Sequence, residues 1–320
     1  MTRTDRLVEA LLGVAIGDAL GFPFEGKPRE QLATVDLSHL PAGRFPPGTW
    51  SDDTALTFIT AESLYLSGAL DLNDLAGRFL RWLKEGYFTP FGQALGIGRA
   101  TREALLRLEK GVPPEEAGGK GERDNGNGSL MRLLPVALWY AKDPLEEALT
   151  CLHKASSLTH AHPRSLVACG LFGLLVRKIV AGKALKTALL ETAKEGPHLY
   201  ASSPFREELT HYTPLFEGKI FLEKEERIIS SGYVVHTLLA AFWVLYRTED
   251  FAAGVKLAVR LGGDTDTLAA VVGGVAGLYY GLASAPESWL NGLQKRELLE
   301  QTAHEFARRL GERWRDLNQR

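Results

Sequence analysis

The most informative stretch of this sequence is Leu261-Gly262-Gly263-Asp264-Thr265-Asp266-Thr267, which is followed by an apolar, glycine-rich run over residues 268–281. Carboxylates one residue apart follow paired glycines and precede a segment typical of a buried helix. Asp and Thr are common helix N-caps because their side-chain oxygens accept hydrogen bonds from the first turn. Paired carboxylates beside a hydroxyl exceed what capping requires, and hard divalent cations prefer such oxygen ligands. The stretch alone leaves two interpretations open, an acidic cap or a metal site.

A second stretch repeats this arrangement far earlier in the chain. It reads Gly48-Thr49-Trp50-Ser51-Asp52-Asp53-Thr54 and precedes a helical pattern over residues 55–67. By itself it is also most simply an acidic helix cap. Together the stretches would supply enough carboxylates and hydroxyls for two adjacent metal ions, and so much negative charge is costly without cations. Their repetition favours convergence of the two stretches in the fold.

The composition indicates a globular protein with an ample core. The chain has 320 residues, 45% of them apolar and 24% charged, and its formal charge of −2 argues against general nucleic-acid binding. Cys151 and Cys169 are too few for a zinc module or a disulfide framework. Uncharged runs at 228–246 and 268–285 lack the flanking Lys/Arg asymmetry of membrane spans. We therefore expect a soluble, cytoplasmic protein without a membrane partner, and we favour a monomer.

Helical periodicity recurs along most of the chain. It predicts helices at residues 5–20, 55–67, 72–85, 96–110, 130–140, 144–157, 164–181, 184–194, 230–246, 251–260, 265–281 and 295–318. Proline and glycine keep residues 31–49 mostly in loops, and prolines break the polar segment 195–226, which we expect to be a mobile excursion. Sustained alternation typical of strands is absent from the sequence. The prediction is an all-α protein with a single compact multi-helix domain over residues 1–320.

A glycine-rich loop over residues 118–128 leads into the predicted helix 130–140, and it ends in Asp124-Asn125-Gly126-Asn127-Gly128-Ser129. Free N–H groups at such a helix start can cradle a phosphate. The loop lacks the Lys-Ser/Thr of a P-loop and the strand that precedes a dinucleotide fingerprint. A phosphate-binding loop and a plain surface turn both remain open.

Six pieces in a fixed order carry a family resemblance: residues 13–21 (GVAIGDALG), 50–54 (WSDDT), 125–132 (NGNGSLMR), 158–160 (LTH), 231–235 (SGYVV) and 262–267 (GGDTDT). With these pieces the chain resembles the ADP-ribosylglycohydrolases, the family of dinitrogenase-reductase-activating glycohydrolase and the eukaryotic ADP-ribosyl-acceptor hydrolases. The resemblance covers nearly the whole chain. It implies an all-α fold of many helices with a binuclear Mg²⁺ or Mn²⁺ centre in a cleft.

The resemblance also implies site residues by position. The implied metal ligands are Ser51, Asp52, Asp53, Asp264, Asp266 and Thr267. Ser51 stands where family members often have Thr, and this change retains the hydroxyl. The implied substrate-binding residues are Asn125, Gly126, Asn127, Gly128, Ser129, His160, Tyr233, Gly262 and Gly263. Among them Asn127, like Asp124, would line the distal ribose, and His160 and Tyr233 would flank the ADP-ribose. The glycines would let the backbone approach the diphosphate and ribose.

The reaction that the resemblance implies is hydrolysis of the bond between C1 of the distal ribose and a nitrogen or oxygen acceptor, which releases ADP-ribose. Such a cleavage usually needs an acid, a base and positioning groups. Two metals would hold the ribose diol and lower the pKa of a bridging water, which Asp53 or Asp264 would orient or deprotonate. Asp124 would assist the leaving group or open the ring. Glu25 matches a family loop glutamate that closes over substrate, and it is the alternative acid; the sequence does not separate these roles.

Several alternatives remain at the level of the sequence. ADP-ribosylated arginine of a protein is the favoured substrate, through resemblance to the bacterial branch. Serine-linked, poly- or O-acetyl-ADP-ribose and ADP-ribosylated nucleic acid are other substrates to consider. A non-catalytic ADP-ribose binder is disfavoured because every implied ligand position carries an oxygen side chain. A two-metal phosphoesterase would instead release AMP.

Overall fold

The fold is built around a close contact between one helix near each end of the chain. The computed structural model describes residues 3–319. Helix α1 spans Arg3–Gly21, and helix α12, Thr265–Tyr279, runs antiparallel against it. A Cβ at Gly17 would lie 2.0 Å from the Ala269 carbonyl oxygen, and the glycines one turn away on either side face α12 as closely. The α1 glycines are therefore needed for the two backbones to touch.

The other helices surround this pair and form one continuous hydrophobic core. They are α2 (Asp52–Ser67), α3 (Leu72–Glu85), α4 (Arg99–Glu109), α5 (Leu134–Trp139), α6 (Leu145–Ser157), α7 (Pro163–Val180), α8 (Leu185–Leu199), α9 (Thr213–Phe216), α10 (Val234–Arg247), α11 (Phe251–Arg260), α13 (Glu287–Asn291) and α14 (Arg296–Leu317). Within residues 3–319 the only β pairing consists of isolated bridges, Gly119 with His160 and Gly126 with Tyr233. The prediction of an all-α fold in a single compact domain is confirmed.

The antiparallel pair sets the position of the site. The C-terminal end of α1 lies beside the N-terminal end of α12, because Gly21 contacts Thr265 and Asp266. Helix α2 packs against both helices and begins at the same place. Three helix ends therefore meet at one point, and each carries at least one aspartate close to its end.

Several helix boundaries differ from the sequence prediction. Helix α5 begins at Leu134 rather than residue 130, since Pro135 is tolerated only in a first turn. Helix α8 continues past residue 194 through Pro197 to Leu199, with Gly196 packed against Leu171 and Phe216. The sequence did not predict α13, which buries Trp289.

The segment 195–226, predicted to be a mobile excursion, forms the end of α8 and then a series of short helical turns, including α9, before α10. Tyr212 and Leu215 are fully buried in the core. The Phe221 ring packs 4.7 Å from that of Tyr246 on α10, measured between centroids. The Trp243 indole N–H also donates to the Glu223 carbonyl oxygen, so a helix of the core is tied to this segment.

One segment passes a length and composition test for a membrane-spanning helix. Residues Thr4–Phe24, which include all of α1 except its first residue, have a mean hydropathy of 1.6 in their most apolar window, and 83% of that window is buried within the protein. Such burial is that of a core helix. The uncharged runs considered in the sequence form α10 and α12, which have 14 and 15 residues. Both are shorter than the about 20 residues that a spanning helix needs.

Candidate active site

Asp18 organises the meeting point of the helix ends. It lies in the apolar α1 and is fully buried. Its carboxylate accepts hydrogen bonds from the backbone N–H of Ser51 (2.9 Å) and of Thr54 (3.0 Å), and from the Thr54 hydroxyl (2.6 Å). The Ser51 hydroxyl lies 2.9 Å from its other oxygen. Asp18 thus satisfies the free N–H groups at the start of α2, which such a helix end leaves without partners.

Asp53 and Asp266 lie at the centre of a buried acidic cluster. One carboxylate oxygen each from Asp18, Asp53 and Asp266 lie within 4.8 Å of one another. The Oδ2 atom of Asp53 is 3.2 Å from the Ser51 hydroxyl and 3.3 Å from the Thr267 hydroxyl. The predicted convergence of the two acidic stretches is therefore present in the structure.

Asp264 precedes α12 and takes a different position. Its side chain makes no capping hydrogen bond to the helix and is half-buried at the cleft. The Asn127 amide donates to its Oδ2 at 2.7 Å and to the Thr237 hydroxyl at 2.9 Å. Asn127 therefore fixes one carboxylate oxygen of Asp264 and links residues 124–129, here called the Gly/Asn loop, to α10.

The electrostatics of the cluster are unfavourable for several charges at once. Burial, followed by repulsion from neighbouring carboxylates, raises the pKa of Asp52, Asp53 and Asp266 well above the ordinary value. Burial raises the pKa of Asp18 to about 6 although four hydrogen bonds oppose the shift. Partial burial and the charges of Asp264 and Asp18 raise the pKa of Glu25. The cluster favours either protons or bound cations.

The donor set fits hard divalent cations. Among the described residues, the buried Oδ1 of Asp53 has no hydrogen-bond partner. Such an atom is costly unless something binds it. Carboxylate and hydroxyl oxygens surround it, and these are the ligands that Mg²⁺ and Mn²⁺ prefer. The cluster could hold a metal ion.

A cleft of about 280 Å³ opens onto this cluster. Of the predicted site residues it is lined by Glu25, Asp52, Asp53, Gly126, Asn127, Gly128, His160, Asp264, Asp266 and Thr267. Its lining also includes Arg99, Thr101, Arg123, Met131 and Gly232, which the sequence analysis did not name as site residues. The cleft thus has an acidic part and a part with two arginines.

The two glycines before α12 lie in close contact with other backbone segments of the protein. Gly262 and Gly263 have φ angles of +72° and +67°. A Cβ at Gly263 would lie 2.0 Å from the Ser230 carbonyl oxygen, and one at Gly262 would lie 2.6 Å from the Arg29 backbone nitrogen. Protein backbone therefore fills the space where a Cβ would lie. That these glycines let the backbone approach the diphosphate and ribose stays a prediction. They hold the loop that carries Glu25, through the Gly26 N–H bond to the Gly263 carbonyl oxygen (2.8 Å).

Gly126 and Gly128 make room for an imidazole. A Cβ at Gly126 would lie 3.2 Å from His160 Nε2, and one at Gly128 would lie 3.0 Å from His160 Cε1. The His160 Nδ1 atom is 2.8 Å from the Thr159 hydroxyl. Burial, with a smaller contribution from the Arg132 charge, lowers the pKa of His160 to about 3. The imidazole is therefore neutral at physiological pH, and it faces the cleft across the Gly/Asn loop.

Seven predicted site residues do not line the cleft: Ser51, Gly262 and Gly263, whose positions are given above, and Asp124, Asn125, Ser129 and Tyr233. Asp124 accepts from the Gly121 N–H at 3.0 Å and from Arg99 at 3.1 Å, so both of its oxygens are engaged. Asn125 and Ser129 are buried and bonded within the protein, to Ser165 and Ser156 respectively. Tyr233 directly precedes α10, and its backbone pairs with Gly126.

The Tyr233 hydroxyl belongs to an ion-pair network beside the cleft. It lies 3.3 Å from an Arg164 nitrogen, and Arg164 bonds Glu122 at 2.6 Å and Glu208 at 2.7 Å. This network ties the turn before the Gly/Asn loop to the segment after α8. The position supports the loop and does not bring the Tyr233 ring into the cleft lining.

Asp18 is the main site residue that the sequence analysis missed. A signal was present, since Asp18 is the only charged residue in the apolar stretch 10–21, and an aspartate is almost never fully buried without partners. Arg99 and Arg123 carried no comparable signal. Arg99 lies in the first turn of an ordinary amphipathic helix, and its approach to Asp124 depends on the tertiary fold.

The geometry is that of a helical enzyme with a buried carboxylate centre in a cleft. Residues 1–316 match the family model described as ADP-ribosylglycohydrolase, and the chain belongs to that family. It is 32% identical to "ADP-ribosylarginine hydrolase Tri1" of Serratia proteamaculans, with 94% of this chain and 79% of that protein covered. It is 30% identical to "ADP-ribosyl-[dinitrogen reductase] glycohydrolase" of Rhodospirillum rubrum, with 91% of each covered.

A solved structure is also similar. The chain matches an "ADP-ribosylglycohydrolase-related protein complex" with a TM-score of 0.77 and 37% identity, covering 96% of this chain and 99% of that one. Sequence and fold therefore agree on the family.

Proposed function

We propose that this glycohydrolase removes ADP-ribose from modified arginine side chains of proteins in a reaction that depends on divalent cations. The observation that carries the proposal is the acidic cluster around Asp53, which has an unpartnered oxygen and opens onto the cleft beside Asp264. Family membership supports an ADP-ribosyl glycohydrolase, and the relatives named as acting on ADP-ribosylarginine support arginine as the acceptor.

The proposed ligands are Ser51, Asp52, Asp53, Asp264, Asp266 and Thr267. Bound Mg²⁺ or Mn²⁺ would neutralise the carboxylates, bind ribose hydroxyls and lower the pKa of a water. Asp18 would act as a supporting residue, because hydrogen bonds from the start of α2 already occupy its carboxylate. It would keep Ser51 oriented toward the site.

Asp264 is the proposed general base. It lines the cleft, is half-buried and does not cap α12. Asn127 holds one of its oxygens, so the other can accept a proton from an attacking water. Asp53 is fully buried and bonded to hydroxyls, which suits a ligand better than a proton acceptor.

Glu25 is the proposed acid. Its loop reaches the acidic part of the cleft from the end of α1, and its side chain remains accessible to solvent. A protonated Glu25 would donate to the departing guanidino nitrogen as the bond to ribose C1 breaks. Asp124 would act through Arg99, which it holds, rather than as the acid.

The diphosphate is proposed to lie in the part of the cleft that carries Arg99 and Arg123. Arginine suits phosphate because its planar N–H donors match phosphate geometry. The Gly/Asn loop also lines the cleft, and its Asp124 bonds Arg99 at 3.1 Å. This placement directs the distal ribose toward the acidic cluster, where the bond is cut.

The test is incubation with ADP-ribosylarginine in Mg²⁺, Mn²⁺ or EDTA, with products identified by mass. We expect release of intact ADP-ribose in the presence of a cation and none in EDTA. The Asp53→Asn variant should lose this activity, whereas the exposed Asp316→Asn on α14 should retain it. Calorimetric titration with Mn²⁺ should show weakened cation binding for the first variant only.

Two results would contradict the proposal. Release of AMP would indicate a phosphoesterase. Hydrolysis of serine-linked but not arginine-linked ADP-ribose would retain the metal site and reject arginine as the acceptor.

A further inference from the structure

A second cavity of about 620 Å³ adjoins the cleft, and we call it the flanking cavity. It shares Glu25 and Gly96 with the cleft. The rest of its wall comes from residues 43–46 and 93–97 and from the side chains of Phe22, Pro23, Thr49 and Arg102. It is more than twice the volume of the cleft, so it can accommodate more than the reacting bond.

The flanking cavity opens at the acidic part of the cleft. A Cβ at Gly96 would lie 2.3 Å from Asp52 Oδ1, so Gly96 directly covers the cluster. The acidic groups that act electrostatically on Glu25 are Asp264 and Asp18. By contrast, Arg123 lines only the cleft. The two shared residues therefore border the carboxylates.

If the proposed function holds, the location of the flanking cavity beside the acidic cluster indicates which part of the substrate would enter it. The ribose lies at the acidic cluster, and the diphosphate extends away from it toward Arg99 and Arg123. The acceptor on ribose C1 must then leave the cluster in another direction. The cavity that adjoins the cluster past Glu25 and Gly96 is the space available to it.

The charges of the flanking cavity favour an acidic occupant. Its charged lining residues are Glu25, Arg44 and Arg102. Both arginine side chains are exposed, and neither forms an ion pair within residues 3–319. The protein as a whole carries a formal charge of −2, so this pair of unpaired arginines is a local feature. Carboxylates arriving with a substrate could pair with them.

Aromatic rings give the cavity an apolar side as well. The Phe45 ring stacks on Phe22 at 5.9 Å and on Phe91 at 6.4 Å between centroids. Phe91 is 42% exposed and continues this stack toward solvent. The Arg44 guanidinium lies 5.7 Å from the Phe45 centroid, and this contact keeps it at the cavity. A polypeptide offers both the apolar contacts and the carboxylates that such a surface binds.

We propose that the flanking cavity binds the segment of the substrate protein around the modified side chain and favours carboxylates next to it. The proposal rests on the proposed function, since it places the acceptor relative to the ribose. Arg44 and Arg102 are specificity-determining residues in this scheme. They contact the polypeptide and take no part in breaking the bond.

The test compares three peptides that carry one ADP-ribosylated arginine flanked by Glu, Gln or Lys, together with free ADP-ribosylarginine. The wild type should prefer the Glu peptide over the Gln peptide by about three- to tenfold in kcat/KM, the size expected for two exposed ion pairs. The double variant Arg44→Gln/Arg102→Gln should lose this preference and keep its activity on free ADP-ribosylarginine. Arg308→Gln on α14 is the matched control and should keep the preference.

Charge reversal makes the test sharper. The Arg44→Glu/Arg102→Glu variant should prefer the Lys peptide, and added salt should weaken both preferences because exposed charges are screened. An equal response of the wild type to the three peptides would overturn the proposal. So would an increase of KM for free ADP-ribosylarginine in the Gln variant, because the arginines would then hold the nucleotide. Failure of the wild type on free ADP-ribosylarginine would instead count against the proposed function.

Discussion

Two helices begin at the candidate active site with similar acidic stretches, but their carboxylates have different surroundings. At the start of α2, Asp52 and Asp53 are buried, and the helix end is anchored by Asp18 from α1. At the start of α12, Asp264 is half-buried and free of the helix N–H groups, and Asn127 holds it from outside. The α2 start is fixed by a buried carboxylate from another helix, whereas the α12 start carries a half-buried carboxylate that Asn127 holds.

Buried carboxylates that look alike in the sequence can have opposite effects on the stability of the fold. A carboxylate that accepts four hydrogen bonds, as Asp18 does, stabilises the fold by satisfying donors that would otherwise be buried alone. A carboxylate with an orphaned oxygen, such as Asp53, costs stability and is retained for another reason. Substitution of Asp18 and substitution of the carboxylates that line the cleft should therefore affect different properties.

The largest effect is expected for Asp264→Asn. Loss of the proposed base should lower kcat for ADP-ribosylarginine by about 10²- to 10⁴-fold, the usual contribution of general acid–base catalysis. The free energy of unfolding should change little, because the Asn side-chain oxygen can still accept from Asn127. Single-turnover hydrolysis and urea unfolding measure the two quantities. Full turnover with unchanged metal binding would remove Asp264 from the mechanism.

Asp18→Ala should destabilise the N-terminal end of α2. It leaves the N–H groups of Ser51 and Thr54 buried without an acceptor, which should lower the free energy of unfolding by about 3 kcal/mol. Urea denaturation measures this change, and Asp316→Asn serves as the surface control. An Asp18→Ala variant as stable as the wild type would contradict the claim that Asp18 stabilises the start of α2.

The helical character of the chain could be predicted from local pattern. The bounds of α3 and α11 were predicted to the residue, because amphipathic periodicity and end signals agreed there. Helix α5 was overextended because Pro135 was placed in its interior. Helix α13 has only five residues, too few to show a period.

The candidate site was predicted in part, for a physical reason. Paired carboxylates ahead of two helices indicated an acidic centre, and the structure brings them together. The contacts of Gly262 and Gly263 with distant backbone segments could not be predicted from the sequence. A positive φ makes glycine necessary, but it does not say whether the space beside it holds a ligand or backbone. The flanking cavity likewise depends on loops that meet only in the folded chain.

Gly263 packs against the Ser230 backbone directly before the start of α12. Gly263→Ala should lower the free energy of unfolding by more than about 2 kcal/mol, because it adds a clash with the Ser230 carbonyl oxygen to the strain of a positive φ. Gly26→Ala is the matched control. Its φ is also positive, at +78°, but nothing lies within 4 Å of the added Cβ, so only the strain of about 1 kcal/mol should appear. Equal losses in the two variants would mean that the contact with Ser230 does not hold α12 in place.

The smallest effect is a pH dependence that metal removal should reveal. Asp52, Asp53 and Asp266 have pKa values raised by burial and mutual repulsion, and that of Asp18 is raised to about 6. A carboxyl group whose pKa is higher in the folded than in the unfolded state stabilises the fold when it is protonated. This stabilisation is therefore complete below the unfolded-state pKa of about 3.9 and is lost as the pH rises through the folded-state pKa.

In EDTA the melting temperature should consequently fall between pH 5 and pH 7 more steeply for the wild type than for Asp266→Asn, which removes one of these groups. The difference should be a few degrees, and saturating Mn²⁺ should abolish the fall because cation binding favours the ionised carboxylates and the folded state. Parallel pH profiles for the two proteins in EDTA would show that the cluster is already neutralised without a metal. Asp53 would then be protonated and would need no cation to neutralise it. In that case the two helix starts would differ only in their hydrogen bonds.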